Sequence, residues 1–266
     1  MRMRREPPAG RSTFLLTRAK RDALRILAEY FCERTNGIVE IRQGRPPCEA
    51  ELRSLRRTLL LLHREGLVAR LPYLAPGVLS GGFTYVYGLT LAGVRLARKK
   101  GFASGATKVF GGHSARTLDH ELLITAFHRA AAAHALRRGL ELYWLQRNLK
   151  KRDVHPDAVF ALTDPRLPED RNTKYWFLEI ERARPGGYEG GEPQILRKLR
   201  AYAAYAGSRA CERDWGDFRQ FQVVIVVPTS ARACVLEARS PEIGTGLFIV
   251  LAEAQCTPEG LAAALG

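Results

Sequence analysis

Four acidic side chains of the C-terminal half have types and spacing suited to holding a metal ion. Pro156–Asp157 opens a predicted strand, and 22 residues after Asp157 the strand YWFLEIE ends in Glu179 and Glu181. Alternation along a strand puts Glu179 and Glu181 on one face, about 7 Å apart. Glu121 lies in a predicted helix, three residues after Leu118, where it would lean toward the sheet. These residues form a candidate catalytic group.

The chemistry that such a group suits is phosphodiester hydrolysis. The reaction needs charge stabilisation at a pentacovalent phosphate and a hydroxide made at neutral pH, and Mg²⁺ held by two or three carboxylates supplies both. A nearby lysine could orient the water or neutralise developing charge. Two interpretations without catalysis stay open: a solvated strand end with a surface helix charge, or an intact fold with a repurposed site. His120 is either a helix residue bonded to backbone or a site histidine beside Glu121.

An α/β unit must position these side chains. In chain order the sequence predicts a helix Leu118–Arg138, strands Leu140–Gln146, Asp157–Leu162 and Tyr175–Ile180, a helix Pro193–Ala206, strands Phe221–Val227, Arg232–Leu236 and Leu247–Leu251, and a short helix after Pro258. The wholly apolar run Phe221–Val227 is typical of an interior strand. The order is α-β-β-β-α-β with additions, an α/β unit within a chain that is α+β overall.

Charge is concentrated at the other end of the chain. Residues 1–116 hold 22 Lys and Arg against 8 Asp and Glu, whereas residues 117–266 hold 20 against 19. Such an imbalance indicates a polyanionic partner, and nucleic acid is the leading class. No apolar run approaches the roughly 20 residues of a membrane-spanning helix, and the N-terminus lacks the apolar core of a signal peptide. Five scattered cysteines without a CxxC pair favour free thiols in a reducing cytoplasm over a zinc site.

The sequence of the basic half predicts a small unit of helices and strands. The predicted elements are a helix capped by Thr17 and ended by Asn36–Gly37, an extended segment and turn over Ile38–Pro47, a helix over about Cys48–Glu65, strands Leu67–Tyr73 and Thr84–Leu89, and a helix Leu91–Lys100 capped by Thr90. Within the second of the three helices, the leucines Leu52, Leu55, Leu59 and Leu62 make one stripe that should be buried.

Five arginines of this half are candidate DNA contacts. They are Arg53, Arg56, Arg57 and Arg64, mostly off the leucine stripe, and Arg70 on the following strand. We expect most to touch phosphate and one or two to read guanine edges, the alternative being a solvated helix face. The predicted organisation is a basic arm at 1–16, a DNA-binding domain at 17–100, a Gly/Ser/Ala-rich linker at 101–116 and the α/β domain at 117–266.

The basic half resembles a winged helix-turn-helix domain. The phrase LLHREGLVAR…TYVYGLTLAGVRLARK is similar to the recognition helix, wing and following helix of that family. The resemblance implies that the helix Cys48–Glu65 docks in the major groove of double-stranded DNA. Two features depart from the pattern. The short helix expected before the recognition helix is weak or missing, because Arg42–Pro47 is a poor helix former, and the wing tip Ala75–Gly82 carries no Lys or Arg.

The second half, residues 117–266, resembles the PD-(D/E)xK nuclease-like superfamily. Pro156–Asp157 matches "PD", Glu179–Ile180–Glu181 matches "(D/E)xK", and Glu121 matches the glutamate of the first helix. The resemblance implies a restriction-endonuclease-like core and Mg²⁺ or Mn²⁺ held by Glu121, Asp157 and Glu179. Glu181 stands where the family has lysine, and Lys198 in the next helix, with Tyr202 four residues later on the same face, is the candidate replacement.

Taken together, the chain resembles the plasmid replication-relaxation proteins. The phrases DHELLIT, HPDAVFAL, FLEIERA and RKLRAYAAY carry this resemblance, which covers the chain from Thr17 to Val227. It implies a DNA-binding protein of a plasmid or mobile element that acts in replication, relaxation or mobilisation, with a relaxase or replication protein as partner. An active metal-dependent endonuclease and a winged-helix transcriptional regulator, with a homodimer among the states considered, are the alternatives.

Overall fold

The structure is a computed structural model, and it describes residues 15–74, 84–102, 109–111, 114–147, 154–182, 194–208, 210–215 and 220–265. Most of the predicted basic arm, the wing tip and much of the predicted linker lie outside the described residues. The protein is a mixed α+β structure, as predicted. None of the helices within the described ranges is both long and apolar enough to cross a membrane.

The basic half combines four helices of the described chain with a three-stranded antiparallel sheet of order β1-β3-β2. Its elements are α1 Arg18–Tyr30, β1 Cys32–Arg34, α2 Thr35–Gln43, α3 Glu49–Arg64, β2 Val68–Tyr73, β3 Thr84–Leu89 and α4 Leu91–Lys99. The leucine stripe of α3 is buried, which confirms that prediction. Thr17 and Thr90 accept hydrogen bonds from Lys20 and Gly93 at the helix starts, as their types predict.

The short helix predicted to be weak or missing is present before α3, as α2. The prediction that the first helix runs on to Asn36–Gly37 is wrong, because α1 ends at Tyr30 and Gly37 lies inside α2. Gly37 is needed there for close packing: a Cβ would lie 2.2 Å from Cδ of Glu33. The residue that ends α2 is Gly44, in the left-handed region at φ 69°. The prediction of an extended segment over Ile38–Pro47 is therefore also wrong.

The second half is built on a five-stranded sheet of order β4-β5-β6-β7-β8. Its elements are α5 Ala115–Arg138, β4 Glu141–Arg147, β5 Ala158–Thr163, β6 Thr173–Ile180, α6 Gln194–Gly207, α7 Ala210–Trp215, β7 Gln222–Val227, α8 Ser230–Ile243, β8 Phe248–Ala252, a 3-10 turn Glu253–Gln255 and α9 Pro258–Leu265. Strands β4 to β6 are antiparallel, and β6 to β8 are parallel. The predicted α-β-β-β-α-β order is confirmed, and so is the interior place of β7.

One predicted strand is a helix. The segment Arg232–Leu236 lies within α8, whose start is capped by the Thr229 hydroxyl bonded to the amide of Arg232. Ala233 and Leu236, three residues apart, are its buried positions. A short apolar run does not by itself distinguish strand from helix, and here the three-residue spacing decides.

Helices α5 and α6 cover opposite faces of this sheet. Ile124 and Phe127 of α5 pack with Trp176 and Leu178 of β6 in one apolar cluster. Leu199 and Tyr202 of α6 pack in another cluster with Phe177 of the same strand. Odd-numbered residues of β6 therefore face α6, which determines where Glu179 points.

Candidate active site and basic face

Asp157 is held beside the end of β6 by the backbone of that strand. Its amide donates to the carbonyl of Leu178 at 2.9 Å, and the amide of Ile180 donates to its Oδ2 at 2.7 Å. The antiparallel pairing of Ala158 with Leu178 explains this placement, because it brings the start of β5 next to the end of β6. The sequence prediction that Asp157 and Glu179 meet is thus supported by the register.

The Glu179 carboxylate is buried and hydrogen-bonded at both oxygens. Only 2% of its surface is exposed. Lys198 donates from Nζ to Oε2, and Tyr202 donates from its hydroxyl to Oε1 at 2.7 Å. Lys198 and Tyr202 lie one turn apart on α6, so a single helix face supplies both donors.

Burial and neighbouring charge shift the pKa of each of these groups. Burial, and next the negative charge of Asp157, raise the pKa of Glu179 to about 7 against the opposing effects of Lys198 and Tyr202. Burial would lower the pKa of Lys198, but the charges of Glu179, Asp157 and Glu181 raise it overall. Burial and the Glu179 charge raise the pKa of Tyr202, so the phenol stays a donor. The charges of Asp157, Glu179, Glu181, Lys198 and Tyr202 therefore act on one another.

Glu181 lies one residue beyond β6 and turns to a different partner. The Nη2 of Arg232, on α8, lies 2.8 Å from its Oε1, and Nε lies 3.3 Å from Oε2. The arginine next to it in sequence, Arg182, instead reaches Glu253 at 3.3 Å. Glu181 therefore acts on Lys198 through its charge while Arg232 holds its carboxylate.

Helix α5 brings His120 to the site. Its Nε2 lies 3.2 Å from Oδ2 of Asp157, and its side chain is 26% exposed. The neighbouring Glu121 is buried, in keeping with the expectation that it leans away from solvent. Of the two readings of His120 that the sequence left open, the geometry favours a site histidine.

The basic half presents its arginines on a face away from its core. Arg53, Arg57 and Arg64 are exposed, and their spacing of four and seven residues aligns them on one side of α3. Arg56 is also exposed and lies 3.1 Å from Glu49. The five arginines thus remain available at the surface of α3 and β2.

An aromatic ring supports the arginine of the sheet. The guanidinium of Arg70 lies over the Tyr85 ring, 4.8 Å from its centroid. The charges of Arg70 and Arg56 both act on the phenol of Tyr87, whose pKa is raised mainly by burial. We call the exposed arginines Arg53, Arg56, Arg57, Arg64 and Arg70, together with Tyr85, the basic face.

Residues 35–220 match the replication-relaxation family model. The chain belongs to the replication-relaxation family. No curated protein and no solved structure matched it. Membership supports a role in the replication or relaxation of a plasmid or mobile element. The matched residues include α2, α3 and the basic face. They also include the four acidic side chains Glu121, Asp157, Glu179 and Glu181, which we call the carboxylate group.

A metal ion bound to this replication-relaxation protein would have few protein ligands among the described residues. Across the part of the chain that the structure describes, no group of three or more His, Cys, Asp or Glu side chains is arranged to hold a metal. Mg²⁺ is commonly bound by one or two carboxylates together with water and substrate phosphates. Asp157 and Glu179, coupled in charge at the strand ends, would be the carboxylates of that smaller set, and all three predicted metal ligands, with Glu121, stay predictions.

One partner in this family member's site, Arg232, was missed by sequence reasoning, and the sequence gave His120 as a site residue only as one of two alternatives. Arg232 lies 51 residues from Glu181 and was assigned to a strand, so no local pattern pointed to it. His120 adjoins Glu121 in sequence, but its approach to Asp157 depends on how α5 crosses the sheet. The only available signal was the adjacency of His120 to a candidate site residue.

Proposed function

We propose that this replication-relaxation protein binds double-stranded DNA through a winged helix-turn-helix formed by α1 to β3, with α3 as the recognition helix. The order α1-β1-α2-α3-β2-β3 with the sheet order β1-β3-β2 supports this proposal, as does the newly found α2. The observation that carries it is the basic face. Three of its arginines, Arg53, Arg57 and Arg64, stand on the side of α3 opposite the buried leucine stripe, where phosphates could reach them.

The salt dependence of binding tests this proposal. Each lost phosphate contact lowers the slope of log affinity against log salt by about 1, so the full chain with Arg53, Arg57 and Arg64 all replaced by Ala should lose about 3. The matched control replaces three exposed arginines of the other half, Arg171, Arg213 and Arg239. Equal slopes for the two triple variants would contradict the assignment of the basic face.

We further propose a second candidate activity, metal-dependent cleavage of DNA by the carboxylate group. The observation that favours it is the meeting of Asp157, Glu179 and Lys198 at adjacent strand ends. A bound Mg²⁺ would stabilise charge on the phosphate and favour hydroxide formation at neutral pH. In this arrangement the Ile180 amide holds Asp157, while Lys198 and Tyr202 hold Glu179.

Cleavage assays distinguish an active site from a scaffold. Supercoiled, linear and single-stranded DNA are incubated with the full chain and Mg²⁺ or Mn²⁺. We expect cleavage that disappears in Asp157→Ala and in Glu179→Ala but persists in Asp170→Ala, an exposed aspartate in the loop at the opposite ends of β5 and β6. Absence of cleavage on all three substrates would leave DNA binding as the proposed activity.

A further inference from the structure

Two consecutive residues in the first turns of α5 contact both halves of the protein. The Tyr73 hydroxyl, at the end of β2, donates to Oδ1 of Asp119 at 2.5 Å. The next residue, His120, reaches Asp157 at 3.2 Å. Burial, and next the Asp119 carboxylate, raise the pKa of Tyr73 to about 12, so its hydroxyl remains a donor. A strand that borders the basic face is thus linked to the carboxylate group across one peptide bond.

The same turn is fixed from the other side of the site. Arg182, two residues after the end of β6, donates from Nη2 to the carbonyl of Asp119 at 3.0 Å. Its Nη1 also lies 3.3 Å from Oε2 of Glu253. The side chain of Asp119 therefore contacts the basic half, while its carbonyl contacts the second half. A movement of either half would act on the other through this single residue.

Buried contacts elsewhere on α5 also join this helix to the basic half. Leu118 and Leu122 of α5 lie in one buried cluster with Phe31 and Val86 of the basic half. The Thr125 hydroxyl lies 2.8 Å from the carbonyl of Tyr30. Close-packed cores transmit displacement because their side chains have little room to absorb it.

We propose that Asp119 and His120 couple the two halves, so that DNA bound at the basic face changes the position of His120 against Asp157. His120 is then a positioning residue for Asp157, and Tyr73–Asp119 is the contact through which DNA acts on it. The inference rests on the proposed DNA binding, since a coupling needs a ligand whose contacts differ between two positions of the turn.

The imidazole signal of His120 measures this coupling directly. The full chain is labelled with ¹⁵N-histidine, the His120 resonance is assigned with His120→Gln, and a mixed-sequence DNA duplex is added to saturation at fixed pH and salt. We expect the duplex to shift the His120 signal in the wild type, and we expect most of that shift to be lost in Tyr73→Phe, because the hydroxyl that contacts Asp119 is removed. The matched control is Tyr143→Phe, which removes a similar 2.6 Å phenol–carboxylate bond to Glu141 on the edge strand β4.

Two variants of Asp119 test the same contact from the other side, in case Tyr73→Phe does not fold. Asp119→Asn is the conservative one. Its amide oxygen can still accept from Tyr73, so most of the DNA-induced shift should be retained, whereas Asp119→Leu should abolish it. A full shift in Tyr73→Phe, or no shift in wild-type protein that has bound the duplex, would overturn the coupling and leave DNA binding intact. Failure of the wild type to bind duplex would overturn both proposals.

Discussion

The Tyr202 hydroxyl donates a 2.7 Å hydrogen bond to Oε1 of Glu179 from a position almost closed to solvent. With Lys198 on the second carboxylate oxygen, it surrounds a buried acid by donors on one helix face. Burial favours the neutral acid, while both donors favour the anion. The Glu179 carboxyl therefore lies between its neutral and ionised forms near neutral pH. The free energy of unfolding of the protein should respond to pH for this reason.

The first prediction concerns the pH dependence of stability without added metal. In the folded chain Glu179 keeps its proton up to a pKa of about 7, whereas the ordinary value is 4.5. The folded state binds more protons in this window, so the free energy of unfolding should fall as pH rises from about 4.5 to about 7, by about 3 kcal/mol at most. Urea unfolding at several pH values should show a flatter profile for Glu179→Gln than for the wild type, and matching profiles would contradict the assignment.

A second prediction follows from the partner of Glu179. Replacing Lys198 by Met leaves a buried carboxylate without its cation, and this matters most when the acid is ionised. Because the Lys198 side chain is 36% exposed, we expect a discounted loss of about 2 kcal/mol in unfolding free energy at pH 8, and less at pH 5. Urea unfolding of Lys174→Met, an exposed lysine on β6, is the control and should show little change at either pH.

The third prediction separates charge from ring support on the basic face. Arg70→Ala should lower the salt slope of DNA binding by about 1, because a phosphate contact is removed. Tyr85→Leu keeps the charge but removes the ring beneath it, so affinity should fall about 2–5-fold with the slope unchanged. Fluorescence anisotropy titrations over a range of salt concentrations measure both, and a changed slope in Tyr85→Leu would argue against ring support.

The fourth prediction tests the bond between α5 and the basic half. Thr125 is fully buried, and its hydroxyl lies 2.8 Å from the Tyr30 carbonyl and 3.3 Å from that of Cys32. Thr125→Val keeps the shape but removes the donor, so unfolding free energy should fall by about 1–3 kcal/mol. Thr58→Val on α3, whose hydroxyl bonds only its own helix at 3.2 Å, should change it far less. Similar losses in the two variants would contradict a special role for this contact.

Patterns local in sequence gave most of the fold. The leucine stripe of α3 and the apolar run of β7 follow directly from helix and strand periodicity. Gly37 misled because glycine often ends helices, and only its contact with Glu33 shows why it lies inside one. The segment Arg232–Leu236 misled because it is short and apolar.

Some contacts of the candidate site could also be predicted from the sequence, and others could not. Helix spacing placed Lys198 and Tyr202 on one face, and the resemblance to the nuclease-like superfamily suggested that Lys198 belongs with Glu179. The contact of His120 with Asp157 depends on the crossing of α5 over the sheet, which no sequence pattern sets. Arg232 was unpredictable for the same reason, because its contact with Glu181 depends on where the parallel pairing of β6 with β7 places α8.

The buried cluster that joins α5 to the basic half has a practical consequence for how the protein can be divided. A fragment beginning at residue 117 would expose Leu118 and Leu122, and its counterpart would expose Phe31 and Val86. Apolar surfaces uncovered in this way promote aggregation. Separately expressed halves should therefore be poorly soluble, and co-expression of the two pieces should restore soluble material by re-forming the cluster.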